Sequence, residues 1–264
     1  MRSQWRSQDW LAYYRSLATA TFTVVDVETT GFHPPQARVI ELGILQATLS
    51  EGIQFQQSEL INPGVPIPEA IARFTGITAE MLATAGPPES VLPPMLPQLQ
   101  TGILVAHNLS FDYRFLTAEY QRLGLNFERS PAEQLCTVQM SRQLLADLPS
   151  RSLPQLVQHF GFPVGQSHRA AADVEACWRL LALLLQQIQD SDDQEILQRL
   201  GQEWLPLPFA AQLLNCSRSQ AQKQLETLAS VEARYSSRNS TPLYRRVWVE
   251  QLIFDQPRSP DKSC

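Results

Sequence analysis

The sequence predicts an α/β fold, a mixed sheet of five strands flanked by helices, followed by a small module of helices and a hairpin. Three observations carry this. Short apolar runs of strand length alternate with helix-period segments from Phe22 to Gln189. A polar, acidic stretch, Gln186 to Gln194 (QQIQDSDDQ), interrupts that alternation. Beyond it, two helical patterns flank Asn215-Cys216 and precede two β-like runs.

In chain order, Asp9 to Ala18 places Trp10, Leu11, Tyr13, Tyr14 and Leu17 at helical spacing with Asp9 as a cap, a short docking helix. Phe22, Val24 and Val25 begin a buried strand that ends at the turn Thr29-Thr30-Gly31, leaving Asp26 and Glu28 at its end. Arg38 to Ala47 and Gln54 to Ile61 read as the next strands, with Ser50 to Gly52 between them, so the sheet starts antiparallel. Eight prolines between Pro63 and Pro97 require short, restarted helices, one near Thr78 to Ala83. Gly102 to Ala106 is the fourth strand, and Asn108 or Ser110 caps a helix with Phe111, Phe115 and Leu116 inward. Leu135 to Val138 is the fifth. Helices follow over Val138 to Ala146, Ser152 to Phe160 and Ala170 to Gln189, the last with an apolar stripe from Val174 to Ile188. Past the boundary, helices are expected at Glu195 to Trp204, Phe209 to Leu214 and Ser217 to Leu228, then strands at Val231 to Tyr235 and Leu243 to Val249. Helices followed by a basic hairpin make a winged-helix-like module. The predicted organisation is a helical extension at 1–20, a main domain at 21–189, the module at 195–255 and a disordered tail at 256–264.

Composition bounds the function. With 264 residues, 44% hydrophobic and 18% charged, the chain has enough apolar material for a real core, which excludes wholesale disorder. The longest uninterrupted apolar run in the last long helix, Leu180 to Leu185, is far short of a membrane span. The first residues lack an apolar core followed by a small-residue cleavage site, so a cytoplasmic protein without membrane association is expected. Cys136, Cys177, Cys216 and Cys264 are widely spaced with no CxxC pair, which predicts reduced thiols. Net charge is −5, from 21 basic and 26 acidic side chains, but Cys216 to Val249 holds six basic residues against two acidic. That segment is locally +4.

Asp26 and Glu28 lie two apart on one strand, so both carboxylates leave the same face. Alone, such a pair is an ordinary solvated strand end. Here Asp112 opens a helix after a second strand, and His168 precedes Asp173 by five residues at the start of the long helix. All fall near element ends.

Taken in order, the set resembles the DEDDh branch of the DnaQ-like 3'-to-5' exonucleases, the superfamily that includes proofreading subunits of bacterial replicative polymerases. The first block of that family, D-x-E-T-T-G, is matched by Asp26 to Gly31, with V-I-E-x-G as Val39 to Gly43. The second is matched by Ala106 to Leu116 and supplies Asp112; the third, H-R-A-x-x-D, is His168 to Asp173. The resemblance spans about Thr21 to Gln189 and implies a ribonuclease H-like nuclease domain.

It further implies phosphodiester hydrolysis with two Mg2+ (or Mn2+) held by Asp26, Glu28, Asp112 and Asp173, and His168 as general base. The chemistry is coherent: two metals about 4 Å apart stabilise attacking and leaving oxygens, and magnesium takes oxygen ligands. An imidazole titrating near neutrality suits proton abstraction from water. The resemblance also sets Thr29, Thr30, Gly31 and Phe32 beside the terminal nucleotide, with Phe32 wedging between bases; ordinary loop packing is the other reading of Phe32. Asn108 either touches substrate or, with His107, ties strand to helix.

The expected partner is a single-stranded nucleic-acid 3' end, DNA ahead of RNA, in proofreading or repair. RNA 3'-end trimming by the same chemistry is the alternative, because no residue here reads the 2'-OH. In the tail, Arg218, Lys223, Arg238, Arg245 and Arg246 are expected nucleic-acid contacts, a solvated basic face being the plain reading. A tail that docks a polymerase or other protein is a third possibility.

Overall fold

The computed structural model describes residues 2–165, 168–228, 233–235 and 241–255. Two units emerge: a larger one of residues 16–140 and 149–187, and a smaller one of 1–15, 141–148 and 188–264. The sequence-based boundaries were contiguous; the structure groups residues 1–15 and 141–148 with the C-terminal part of the chain.

In chain order the elements are α1 (Ser7–Ser16), a 3-10 turn at Leu17–Thr19, β1 (Phe22–Thr29), β2 (Val39–Thr48), β3 (Gly52–Leu60), α2 (Glu69–Thr75), α3 (Ala79–Ala83), α4 (Pro88–Leu99), β4 (Ile103–Ala106) and α5 (Leu109–Arg122). There follow β5 (Gln134–Cys136), α6 (Thr137–Leu144), α7 (Leu153–Phe160), α8 (Ala170–Asp190), α9 (Asp193–Gly201), β6 (Trp204–Pro206), α10 (Leu207–Leu213), α11 (Arg218–Glu226), β7 (Arg234–Tyr235), β8 (Pro242–Arg245) and α12 (Arg246–Asp255).

In the larger unit the sheet order is β3-β2-β1-β4-β5, antiparallel from β3 to β1 and parallel from β1 to β5. This is the mixed five-stranded sheet that the sequence predicts. Strand alternation sends Val25 and Val27 to one face, where they join Leu42, Ile44 and Leu104 against Leu92 and Leu99 of α4 and Phe115, Leu116 and Tyr120 of α5. Each such fully buried side chain is worth about 1.5–3 kcal/mol. The other face carries Phe22, Val24, Asp26 and Glu28. There Phe22 meets Trp178 of α8, ring centroids 5.9 Å apart.

Two local expectations need correction. Between Pro63 and Pro97 the helices are short and restarted at α2 and at α3, the latter where one was expected, but the last stretch forms one continuous helix, α4, although Pro93, Pro94 and Pro97 lie inside it. Two of the carbonyls that lose their donors, those of Glu89 and Ser90, belong to exposed residues that water solvates, while Leu92, Met95 and Leu99 form a buried stripe. The second concerns α5: its cap residue Asn108 is left-handed (φ 86°) and makes no side-chain bond to the helix backbone.

The smaller unit pairs β6, β8 and β7 as an antiparallel three-stranded sheet around Leu205, Ala210, Leu225, Tyr244 and Val249. Asn215 (φ 52°) turns the chain between α10 and α11. Trp204, expected to end a helix, starts β6, because Gly201 closes α9 and Trp204 pairs with Arg245. The expected strand Leu243 to Val249 stops at Arg245. Arg246 begins α12 instead, its guanidinium bonding Glu203 at 2.6 and 2.8 Å, Glu250 at 3.3 Å and the Trp5 carbonyl at 2.9 Å. Glu250 also caps α1 through the Ser7 amide and hydroxyl. No helix among the described residues is long and apolar enough to cross a membrane.

Candidate active site

The site forms where β1 outruns β4. The two strands pair only from Phe22 to Val24, so the amide of Val27 has no strand partner on that side. Asp112, in the first turn of α5, accepts from it at 3.1 Å. A crevice at the carboxyl end of a central strand, where its neighbours diverge, is where α/β sheets bind ligands.

Across from it, the start of α8 rests on β2. Gly43 pairs with Asp26, and a Cβ at Gly43 would lie 2.7 Å from the Ala170 carbonyl oxygen. Only glycine permits that approach. Glu41, paired with Glu28 and 2% exposed, holds the same helix end: it accepts from the Ala170 amide at 3.1 Å, from Arg169 at 3.0 and 3.2 Å and from Ser58 at 3.1 Å. Asp173 is thereby brought over Asp26 and Glu28.

Carboxylate oxygens of Asp26, Glu28 and Asp173 all lie within 4.8 Å of one another. Asp112 stands just outside this trio, with one oxygen committed to Val27. Burial, then the charges of Asp112, Asp173 and Glu28, raises the Asp26 carboxyl well above its ordinary value. Glu28 is pushed up to about 7 by burial and by Asp173, against a lowering pull from Arg169. Asp112 is pushed up to about 8, mainly by burial. An arrangement that strains against its own negative charge suits cations with oxygen ligands.

His168 has a left-handed backbone (φ 65°), and its amide donates to Asp173 Oδ2 at 2.9 Å. Its ring lies against Phe74, centroids 3.9 Å apart.

The loop after β1 is fastened at its base. Thr30 and Arg38 exchange bonds, the Thr30 amide to the Arg38 carbonyl and the Arg38 amide to Thr30 Oγ1, both 2.9 Å, while Thr29 donates to the Gly31 carbonyl at 2.6 Å. Buried Glu119 of α5 accepts from the Arg38 side chain and the Val39 amide and pairs with Arg122. The hydroxyls of Thr29 and Thr30 thus hold the loop. Phe32, at its tip, is 73% exposed, so core packing does not explain it.

His107 faces Thr137 Oγ1 and the Arg151 carbonyl, each at 2.9 Å, so its ring ties β4 to its neighbours. Asn108 is exposed. In the smaller unit, Arg218 and Lys223 are exposed, whereas Arg245 stacks over Trp204 at 4.0 Å and bonds the Gln202 carbonyl and Asp147. Arg246 is 4% exposed and ion-paired, which removes it from the expected nucleic-acid contacts. Arg238 and residues 256–264, the expected tail, lie outside the described residues. At the sequence level Glu41, Gly43 and Arg169 stood only as letters of the V-I-E-x-G and H-R-A-x-x-D blocks, with no part in the site's frame, and Glu119 was missed; an acidic residue and a glycine within the apolar run Val39 to Leu45 were the available signal.

A model of the Exonuclease family matches residues 23–181. DNA polymerase III subunit epsilon of Aquifex aeolicus is 33% identical over 177 residues, 66% of this chain and 84% of that protein. A PolC-type DNA polymerase III of Thermotoga petrophila is 38% identical over 165 residues, 62% of this chain but 12% of the polymerase. The chain therefore spans a small fraction of the PolC-type relatives. Among solved structures, the nuclease domain of 3'hExo, a DEDDh family member bound to rAMP, superposes with a TM-score of 0.55 at 17% identity, covering 64% of this chain and 93% of that one.

Proposed function

The chain belongs to the Exonuclease family, and from that premise we propose that it removes nucleotides from the 3' end of single-stranded DNA, releasing 5'-monophosphates, in proofreading or repair. The observation that carries this reading is the convergence of Asp26, Glu28 and Asp173 within 4.8 Å, with Asp112 alongside.

That donor set is all oxygen and fits two divalent cations, Mg2+ or Mn2+. When bound, such ions polarise the phosphate and lower the pKa of water. Asp26, Glu28, Asp112 and Asp173 would hold them. His168 takes the proton of the attacking water on a ring nitrogen, and its backbone bond to Asp173 ties that base to the carboxylate cluster. Backbone groups of Thr29, Thr30 and Gly31 receive the terminal nucleotide, Phe32 stacks on a base, and Asn108 meets the strand from the start of α5. Stacking of this kind is sequence-tolerant and worth about 1–3 kcal/mol per base.

Preference for DNA is supported by the DNA polymerase III relatives. RNA trimming is the second reading, favoured by the rAMP-bound structural relative. For the smaller unit the reading is a winged-helix-like module that contacts nucleic acid through Arg218, Lys223 and Arg245, with Arg238 kept as a candidate from the sequence alone, or docks a polymerase.

Digestion of 5'-labelled DNA and RNA oligomers of one sequence, with magnesium, manganese or chelator, tests it. The expected result is a metal-dependent ladder shortening from the 3' end, faster on DNA and absent in Asp26→Ala. No ladder in any metal would overturn the enzyme reading, and a faster RNA ladder would select the second. Truncation near Asp190 should weaken binding and flatten its salt dependence if the module grips nucleic acid.

A further inference from the structure

A catalytic base is normally oriented by a third group, most often a hydrogen-bonded carboxylate. Among the described residues no hydrogen bond orients the His168 ring; the bond to Asp173 comes from its backbone amide. The ring's neighbour is an aromatic side chain. Phe74 lies 3.9 Å from it, centroid to centroid, at an interplanar angle of 34°.

Phe74 is 59% exposed, so the core does not require it. Its backbone, by contrast, is firmly anchored. Next to it, Thr75 is buried, donates to the Ile71 carbonyl at 3.0 Å and accepts from the Ile77 amide at 3.1 Å. Gly76 (φ 73°) closes α2, and Ile77 is fully buried with Leu82 and Ile40, packed by Ile71. A ring held out on a fixed turn, against an imidazole with no other orienting partner, is a platform.

We propose that Phe74 is the positioning residue for the general base, its ring fixing the plane and reach of the His168 imidazole. This rests on the reading of His168 as that base. Because Phe74 acts through His168, it governs turnover more than affinity: a displaced base slows the chemical step while the metal-ligand carboxylates are untouched.

The test compares Phe74→Leu, which keeps apolar bulk without an aromatic face, with Phe74→Tyr, which keeps the face. Steady-state kinetics are measured on a single-stranded DNA oligomer, and the His168 ring protons are followed by NMR in metal-free protein. In Phe74→Leu, kcat should fall by about ten-fold or more, with KM within about two-fold, and the His168 resonances should move as the ring current is lost. Phe74→Tyr should restore both, and equal melting temperatures would show that the fold is intact. A raised KM with kcat unchanged would make Phe74 a substrate contact and overturn the proposal. Equal loss in the Leu and Tyr variants would overturn it too. Wild-type protein without exonuclease activity would instead fail the reading of the site on which the proposal stands.

Discussion

Removing divalent cations while raising the pH should destabilise this protein, and the site geometry gives the size of the effect. In the folded chain Glu28 titrates at about 7 and Asp112 at about 8, with Asp26 raised as well; in the unfolded chain such groups titrate near 4. Between those values the fold holds protons that the unfolded chain has released, so this stabilising contribution is complete below about pH 4 and is lost as pH rises to 8. Glu28 alone, with some solvent contact allowed for, accounts for about 2–3 kcal/mol. At this chain length that corresponds to roughly 5–10 °C in melting temperature, and Asp26 and Asp112 act in the same direction. Calorimetry in chelator from pH 5 to pH 8 should show the fall. Millimolar magnesium or manganese should reverse it at pH 8 and do little at pH 5, below the values at which Glu28 and Asp112 give up their protons. Asp26→Asn should flatten the metal-free curve. A metal-free melting temperature that is level or rising over this range, or equal stabilisation by metal at both pH values, would refute the argument.

Gly43→Ala should cost about 1–3 kcal/mol by overpacking and lower turnover, since the Ala170 carbonyl cannot yield without shifting α8 and Asp173; urea melts and kcat read the two effects, and a fully active, fully stable variant would contradict them. His168→Ala should keep metal and oligonucleotide affinity yet lose turnover by roughly 10²–10⁴-fold, and near-normal turnover would remove His168 from the mechanism. Arg246→Ala leaves Glu203 buried without its cation and should cost about 3–5 kcal/mol in denaturant melts. Arg218→Ala, at an exposed position, should change stability by less than about 0.5 kcal/mol. Similar losses in both would contradict the structural role of Arg246.

The sheet was legible because β1, β2 and β4 are apolar runs of strand length bounded by turn residues, a local signal. The four carboxylates were legible as a set, through their spacing and their resemblance to a family. What escaped was long-range. That Glu41 reaches the start of α8, more than 120 residues on, follows from topology rather than from any window of sequence. The same holds for Arg246: a basic residue near a hairpin reads as a surface cation until Glu203 and Glu250 are seen around it. In α4, the prolines suggested interruption, and only the burial of Leu92, Met95 and Leu99 explains why the helix continues. Phe74 carried no signal of its own, since its importance lies in a ring on another segment.

The loop after β1 separates two jobs that proteins often mix. Its footing, Thr30 with Arg38 and Arg38 with Glu119, is welded to the scaffold, while Phe32 is largely exposed to solvent. Mutation can therefore sample the tip almost free of folding penalty. If Phe32 stacks on a base as proposed, a lineage could exchange it for a smaller, polar or cationic side chain and be judged on substrate binding alone, which would make this position a dial for retuning substrate choice.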